Sequence, residues 1–268
     1  MAEKISNIAI IGAGNLGAAI ADGILEGNIV KPQQLTITRR RKGTGHPLQD
    51  RGVRIVDENI EAVKAAELVF LCVLPKQVDE VLSEIGSVLK PDQTLISVVT
   101  GVGIERMKEQ ISAEVAIIRA MPNTAIAIKE SMTCIAAGVG AEKSIDKVKA
   151  VFETLGETLI IEERLIQAAT VLGASGIAFF MRYLRAATQG GIQMGFHPEE
   201  AQKIAVQTAK GAATLVLDHG SHPELEIDKV TTPQGCTIEG LNEMEHQGFS
   251  SSLIKGLMTS YFKINAIS

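Results

Sequence analysis

The segment that most constrains this chain is an apolar run, Ile8-Ala-Ile-Ile, that breaks into Gly12-Ala13-Gly14-Asn15-Leu16-Gly17 and continues as a helical pattern from Ala18 to Leu25. Gly-x-Gly-x-x-Gly between a strand and a helix is the arrangement that holds a dinucleotide pyrophosphate. The first glycine turns the chain off the strand, the second lets bare backbone approach the phosphates, and the third lets the helix pack close to the sheet. The helix N-terminus adds unpaired N–H groups and a positive dipole end. Glycines also punctuate ordinary turns, so the strand and helix flanks carry the weight. Gly12, Ala13, Gly14, Asn15, Leu16 and Gly17 are the first cofactor-binding candidates.

The pattern around this motif extends it into a fold. Runs of strand length occur at 5–11, 35–38, 53–56, 68–73, 94–99 and 115–118, with two more at 132–137 and 158–161. Helical patterns separate them at 15–26, 59–65, 77–89, 104–111 and 143–155. Such alternation predicts a parallel sheet covered on both faces, an α/β Rossmann-type doubly wound sheet. After Glu162 the period changes: Ala201, Ile204, Ala205, Thr208, Ala209, Ala212, Leu215 and Val216 recur at helical spacing, as do Phe249, Leu253, Leu257 and Tyr261. We expect a dinucleotide-binding domain over residues 1–162 and an all-α domain over 163–268, with no strand in the latter.

Composition narrows the function classes. The 268 residues are 46% hydrophobic and 21% charged with net charge −5, a globular balance that gives nucleic-acid binding no support. With no Trp and two Tyr, base-stacking platforms are also unsupported. Cys72, Cys134 and Cys236 lie far apart, and His219-Gly-Ser-His222 has no matching ligand cluster, so neither a metal site nor a disulfide framework is expected. His46, His197 and His246 read as surface positions. Lys4-Ile5 leads directly into a strand pattern, which reads as leaving no room for a signal peptide, and a cytoplasmic location is the expectation. The uncharged stretch from Leu165 to Met181 reads as a buried helix or a dimer interface rather than a membrane span, because Gln167, Thr170, Gly173, Ser175 and Gly176 interrupt it.

The end of the second strand bears on which dinucleotide binds. An Asp or Glu there bonds the ribose 2′-hydroxyl of NAD; this chain instead reads Thr38-Arg39-Arg40-Arg41-Lys42, which suits a 2′-phosphate. One charge-assisted bond contributes ~1.5–3 kcal/mol, enough for a ten- to hundredfold preference. NADP(H) is therefore favoured over NAD(H), with Arg39 carrying most of the selectivity and Arg40 beside it. A solvated basic turn is the plainer alternative.

Later segments resemble the pyrroline-5-carboxylate reductase family nearly end to end. They are Arg119-Ala-Met121-Pro122-Asn123-Thr124, the helix start Leu172-Gly-Ala-Ser175-Gly176-Ile-Ala178-Phe179, and Asp228-Lys-Val230-Thr-Thr232-Pro233-Gln-Gly235-Cys-Thr237-Ile238-Glu-Gly240-Leu241. Asn59 and Cys72-Val73-Leu74-Pro75-Lys76-Gln77 fall in register with the family's cofactor-contacting segments. The resemblance implies NAD(P)H-dependent reduction of the cyclic imine 1-pyrroline-5-carboxylate to proline, the last step of proline biosynthesis. It also implies self-association through the helical domain, and cofactor contacts at Asn59, Val73, Leu74, Pro75 and Asn123.

Thr232-Pro233 reads as a helix start, with Thr as cap and Pro in the first turn. The N–H groups of Gln234, Gly235, Cys236 and Thr237 then offer a carboxylate site. By resemblance, Thr232 to Cys236 and Ser175 line the substrate pocket and the Thr237 hydroxyl contacts the ring nitrogen as the catalytic group. The alternative is that Thr232 and Thr237 only cap a structural helix. The chain departs from the family pattern at Leu74, Ala125, Gly173, Ala174, Ile177, Phe179, Gln234 and Cys236. Two other functions therefore stay open: reduction of another small cyclic imine, and a non-catalytic NADP-binding regulator.

Overall fold

A computed structural model describes residues 5–39 and 47–266. Eight strands form one sheet: β1 (Ile8–Ile11), β2 (Leu35–Thr38), β3 (Arg54–Val56), β4 (Leu68–Leu71), β5 (Thr94–Ser97), β6 (Ala116–Met121), β7 (Ser131–Ala137) and β8 (Gly156–Ile160). Their order is β3-β2-β1-β4-β5-β6-β7-β8. Strands β1 to β6 run parallel, joined by crossovers through α1 (Asn15–Glu26), α2 (Pro47–Asp50), α3 (Asn59–Val63), α4 (Val78–Ile85) and α5 (Ile104–Lys108).

The wholly parallel sheet read from the sequence needs one correction. β7 pairs antiparallel with β6, Met121 opposite Cys134, and β8 then runs parallel to β7 after the crossover through α6 (Glu142–Glu153). A parallel pair needs a crossover of a dozen or more residues. The link from Met121 to Ser131 holds only a single-turn 3₁₀ segment, Thr124–Ile128, so the chain doubles straight back.

Strand residues alternate between two cores. Ile8 and Ile10 join Ile20 and Ile24 of α1 and Val148 and Phe152 of α6 on one face, where Phe70 meets Phe152 edge-on at 6.0 Å. Ala9 and Ile11 join Val63 of α3, Val81 and Leu82 of α4 and Met107 of α5 on the other. Burial on both faces explains why these strands read as continuous apolar runs.

Beyond β8 the described residues contain no strand. α7 (Ile166–Ala169) runs through a π-helical turn, Thr170–Ser175, into α8 (Gly176–Gln193); α9 (Pro198–His219), α10 (Pro223–Val230), α11 (Cys236–His246) and α12 (Phe249–Asn265) follow. α8 and α9 cross closely, since a methyl on Gly191 would lie 2.8 Å from the Ala201 side chain. The helical stretch Glu163–Gln193 is long and apolar enough to cross a membrane by length and composition, but such a stretch also occurs in soluble proteins. Within this chain it is mostly uncovered: Leu172 is 71% exposed and Met181 59%. The chain divides into two compact units, residues up to Ser175 together with those from Tyr261 onward, and Gly176–Ser260.

Candidate functional site

A cleft of about 630 Å³ opens at the carboxyl ends of the strands. Gly12, Arg39, Asp57, Cys72 and Val98 are the residues directly after β1, β2, β3, β4 and β5, and all five line it. In the sheet order, β1 and β4 are neighbours from which the chain departs in opposite directions, the place where doubly wound sheets leave a crevice for ligands.

The glycine loop makes the floor. Gly12 has φ +102°, and a methyl on it would come 2.6 Å from the Cys72 carbonyl oxygen. Its N–H donates to Thr38 Oγ1 at 3.2 Å while the Ala13 N–H donates to the Thr38 carbonyl at 3.0 Å, fastening the loop to β2. Gly17 holds α1 down on the loop: a methyl there would lie 2.1 Å from the Gly12 carbonyl oxygen. Around Gly14, by contrast, a methyl would meet nothing within 4 Å, so this backbone faces open cleft. Gly14 caps α1 without a side-chain bond and the first turn holds no acid, which leaves its N–H groups and dipole end available to an anion. A pyrophosphate fits this cradle.

The remaining cofactor candidates divide. Ala13, Asn15, Leu16, Arg39, Asn59, Val73 and Leu74 line the cleft. Gly17, Pro75 and Asn123 are not among its lining residues. Arg40 and His46 lie outside the described residues. Asn59 opens α3 and donates from Nδ2 to Glu84 at 2.7 Å. Leu74 is 58% exposed at a turn where its N–H donates to Gln77 Oε1 at 3.1 Å. Asn123 is bound into the scaffold: Oδ1 accepts from the Ala125 N–H at 2.9 Å, its N–H donates to Ser131 Oγ at 3.0 Å, and Nδ2 reaches the Gly173 carbonyl at 3.4 Å. That last bond ties the β6–β7 link to the π turn whose final residue is the half-buried Ser175. π turns inside α-helices occur frequently at functional sites.

Thr38, Asp57, Cys72 and Gln77 also line the cleft; Asp57 was missed in the sequence, and the other three stand in segments quoted there without being singled out as contacts. The available signal was position: each of the first three ends or directly follows a strand. Burial pushes the Cys72 thiol up to about 12, so it stays neutral in the cleft. A second missed group is the pair formed by Arg119, on β6 with its side chain 5% exposed, and Glu163 at 3.3 Å. Glu163 Oε1 also accepts from the Ile104 N–H at 2.7 Å, at the start of α5. The described residues contain no group of three His, Cys, Asp or Glu placed to hold a metal ion.

The Thr232–Thr237 segment corrects the expected helix start. Thr232 is not a helix cap: the Gly235 N–H donates to the Thr232 carbonyl at 2.9 Å, closing a turn with Pro233 and Gln234 at its corner. α11 begins at Cys236 with Gly235 as its cap. Pro in the second position and positive φ in the third are the marks of a type II turn, and Gln234 supplies the latter at φ +58°. Gly235 is required, because a methyl there would lie 2.5 Å from Thr232 Oγ1. Thr237 is exposed in the first turn of α11, and Cys236 is exposed beside it.

Comparison with known proteins bears on this geometry. A family model described as pyrroline-5-carboxylate reductase dimerisation matches residues 163–266, and one described as NADP oxidoreductase, coenzyme F420-dependent, matches residues 7–101. Pyrroline-5-carboxylate reductase 1 of Dictyostelium discoideum is 46% identical over 95% of this chain, which spans only 48% of that protein's length. Pyrroline-5-carboxylate reductase 2 of the same organism is 42% identical, with 95% of this chain and 90% of the relative covered. The Corynebacterium melassecola reductase is 32% identical, with 94% of each covered. Among solved structures, Plasmodium falciparum pyrroline carboxylate reductase with NADP bound superposes at TM-score 0.88 and 23% identity, covering 100% of this chain and 99% of that one. The Coxiella burnetii pyrroline-5-carboxylate reductase superposes at 0.89 and 24%, covering 98% and 99%. At these identities the structural matches speak to the fold.

Proposed function

This chain belongs to the pyrroline-5-carboxylate reductase family, and on that premise we propose that it reduces 1-pyrroline-5-carboxylate to proline with NADPH, the last step of proline biosynthesis. The reading rests on the pyrophosphate cradle at Gly12–Gly17, in a chain that resembles a reductase from Dictyostelium discoideum along 95% of its own length.

When bound, the dinucleotide supplies the hydride that adds to the imine carbon, and a proton goes to the nitrogen. The chain's own residues bind and orient. The Gly14 backbone and the first turn of α1 hold the pyrophosphate, and Arg39 takes the 2′-phosphate, setting a preference for NADP(H) over NAD(H). The N–H groups of Gln234, Cys236 and Thr237 bind the substrate carboxylate beside Thr232 and Pro233, that of Gly235 being committed to the Thr232 carbonyl, and Ser175 is a further substrate-binding residue. The Thr237 hydroxyl hydrogen-bonds the ring nitrogen. Asn123 acts through the Gly173 carbonyl to fix the turn carrying Ser175. Functionally the dinucleotide-binding part is 1–162 and the substrate-binding, self-associating part 163–268. The latter leaves Phe180, Leu253 and Ile254 exposed for a second copy to cover. Its location is the cytoplasm.

A second reading, reduction of a different small cyclic imine, is favoured by Gln234, whose backbone takes the left-handed position in the turn, and by the exposed Leu74. NADPH oxidation measured on a panel of cyclic imines, with cofactor binding followed in parallel, separates these readings. Turnover of pyrroline-5-carboxylate above all others supports the first and turnover of another imine alone supports the second. Binding without turnover of any imine overturns both and leaves a regulator. Thr237→Ala is expected to lower kcat more than it weakens NADPH binding; an unchanged kcat removes that role.

A further inference from the structure

The sheet order sets out a row of residues along one rim of the cleft. Asp57, Arg39, Gly12, Cys72 and Val98 follow β3, β2, β1, β4 and β5 in turn, and the strands stand side by side in that sequence. Backbone bonds keep the row in register: the Arg39 N–H donates to Val56 O at 3.4 Å and the Cys72 N–H to Ile11 O at 2.8 Å. A dinucleotide whose pyrophosphate sits over Gly12 and whose ribose phosphate meets Arg39 has its base directed toward β3, two strand spacings or about 10 Å from the glycine loop. Asp57 stands there. It is exposed, and among the described residues it has neither an ion-pair nor a hydrogen-bond partner.

A free carboxylate in a cleft that takes a polyanion is unfavourable unless the ligand gives it a donor. The phosphates offer none; of the donors the dinucleotide does carry, ribose hydroxyls and amines, the exocyclic amine of adenine is the one on the base directed toward β3. We propose that Asp57 is the base-specificity residue of this cleft, accepting a hydrogen bond from the adenine 6-amino group. The inference rests on the cofactor reading above and adds to it the group that distinguishes adenine from a base with an oxygen at that position. With hypoxanthine the same carboxylate faces a carbonyl oxygen, so a hydrogen bond is replaced by repulsion.

The test uses the whole chain without imine. Binding of NADPH and of reduced nicotinamide hypoxanthine dinucleotide phosphate is followed by the fluorescence of the reduced nicotinamide, which is easily resolved because the chain has no Trp. The wild type is expected to bind the adenine form about tenfold more tightly, the effect of one charge-assisted hydrogen bond. Asp57→Ala is expected to bind the two forms within about twofold of each other. Removing a negative charge tightens both polyanions alike, so only their ratio reports the base contact. Equal binding of the two forms by the wild type, or a ratio unchanged in Asp57→Ala, overturns the inference while leaving NADPH binding intact. Failure of the wild type to bind either form overturns the cofactor reading, and the inference with it.

Discussion

Gly14→Ala separates ligand contact from folding more cleanly than any other change in the glycine loop. Gly14 has φ −77° and ψ −174°, a conformation alanine adopts freely, and its methyl meets nothing within 4 Å. Two small folding effects oppose each other. Alanine is a poorer helix cap than glycine, by up to about 1 kcal/mol, and loses less backbone entropy on folding, a gain of about 0.4–1 kcal/mol. Their near cancellation predicts a Tm within about 2 °C of wild type, since 1 kcal/mol moves Tm by roughly 2–4 °C in a chain of this size. The methyl does occupy the space a phosphate must enter. Loss of one charge-assisted N–H contact costs about 2–3 kcal/mol, a roughly 30- to 150-fold rise in Kd for NADPH. Fluorescence titration gives the Kd and circular dichroism the Tm. Gly17→Ala is the contrast: its methyl would lie 2.1 Å from the Gly12 carbonyl oxygen, so it lowers Tm as well as affinity. A Gly14→Ala protein that binds NADPH within about threefold of wild type refutes the placement of the pyrophosphate.

Three other changes probe separate parts of the account. Arg39→Asp is expected to reverse the cofactor preference, lowering kcat/KM for NADPH about tenfold or more relative to NADH; equal use of both cofactors before and after the change removes Arg39 from selectivity. Glu163→Ala strands the buried Arg119 guanidinium, whose pKa burial lowers and Glu163 partly restores, and also frees the Ile104 N–H. Breaking a buried pair costs about 3–5 kcal/mol, reduced to about 2–3 by the solvent screening of a carboxylate that is 33% exposed. The expected fall in Tm is roughly 4–12 °C, with Glu163→Gln intermediate; a fall below about 1 °C contradicts the pairing. For the thiols, a pKa of about 12 leaves Cys72 ionised at roughly one part in 10,000 at pH 8, against about a quarter for an unperturbed cysteine. Because the thiol, not the thiolate, is favoured in the fold, its reactivity rises only as pH approaches 12. Mass spectrometry after brief iodoacetamide treatment at pH 8 should find the exposed Cys236 modified well ahead of the half-buried Cys72; equally rapid modification of Cys72 contradicts its raised pKa.

Much of this was legible in the sequence where apolar period and glycine placement act locally. The helix read over 15–26 is α1 as found, because Gly14 and Gly27 bracket an amphipathic repeat. All eight strands lie close to the expected runs, since strands buried on both faces must be apolar throughout. The direction of β7 was hidden because it depends on whether the link after Pro122 can hold a crossover helix, a property of that link and not of the strand's own apolar pattern. At Thr232 the Thr-Pro pair fits a helix cap and the first half of a type II turn equally well. Glycine usually signals the turn's third position; here Gln234 takes the positive φ and erases the signal. Asp57 was overlooked because its importance comes from standing one residue past a strand end, not from a motif. The Arg119–Glu163 pair joins residues 44 apart in the chain, a contact no local pattern announces.

A crystal structure of the chain grown with NADP+ and a proline-like carboxylate tests the central claim most directly. The account predicts pyrophosphate density against the Gly14 backbone and the first turn of α1, and carboxylate density on the N–H groups of Gln234, Cys236 and Thr237. Density for the dinucleotide away from the glycine loop, or for the carboxylate away from that turn, would contradict it.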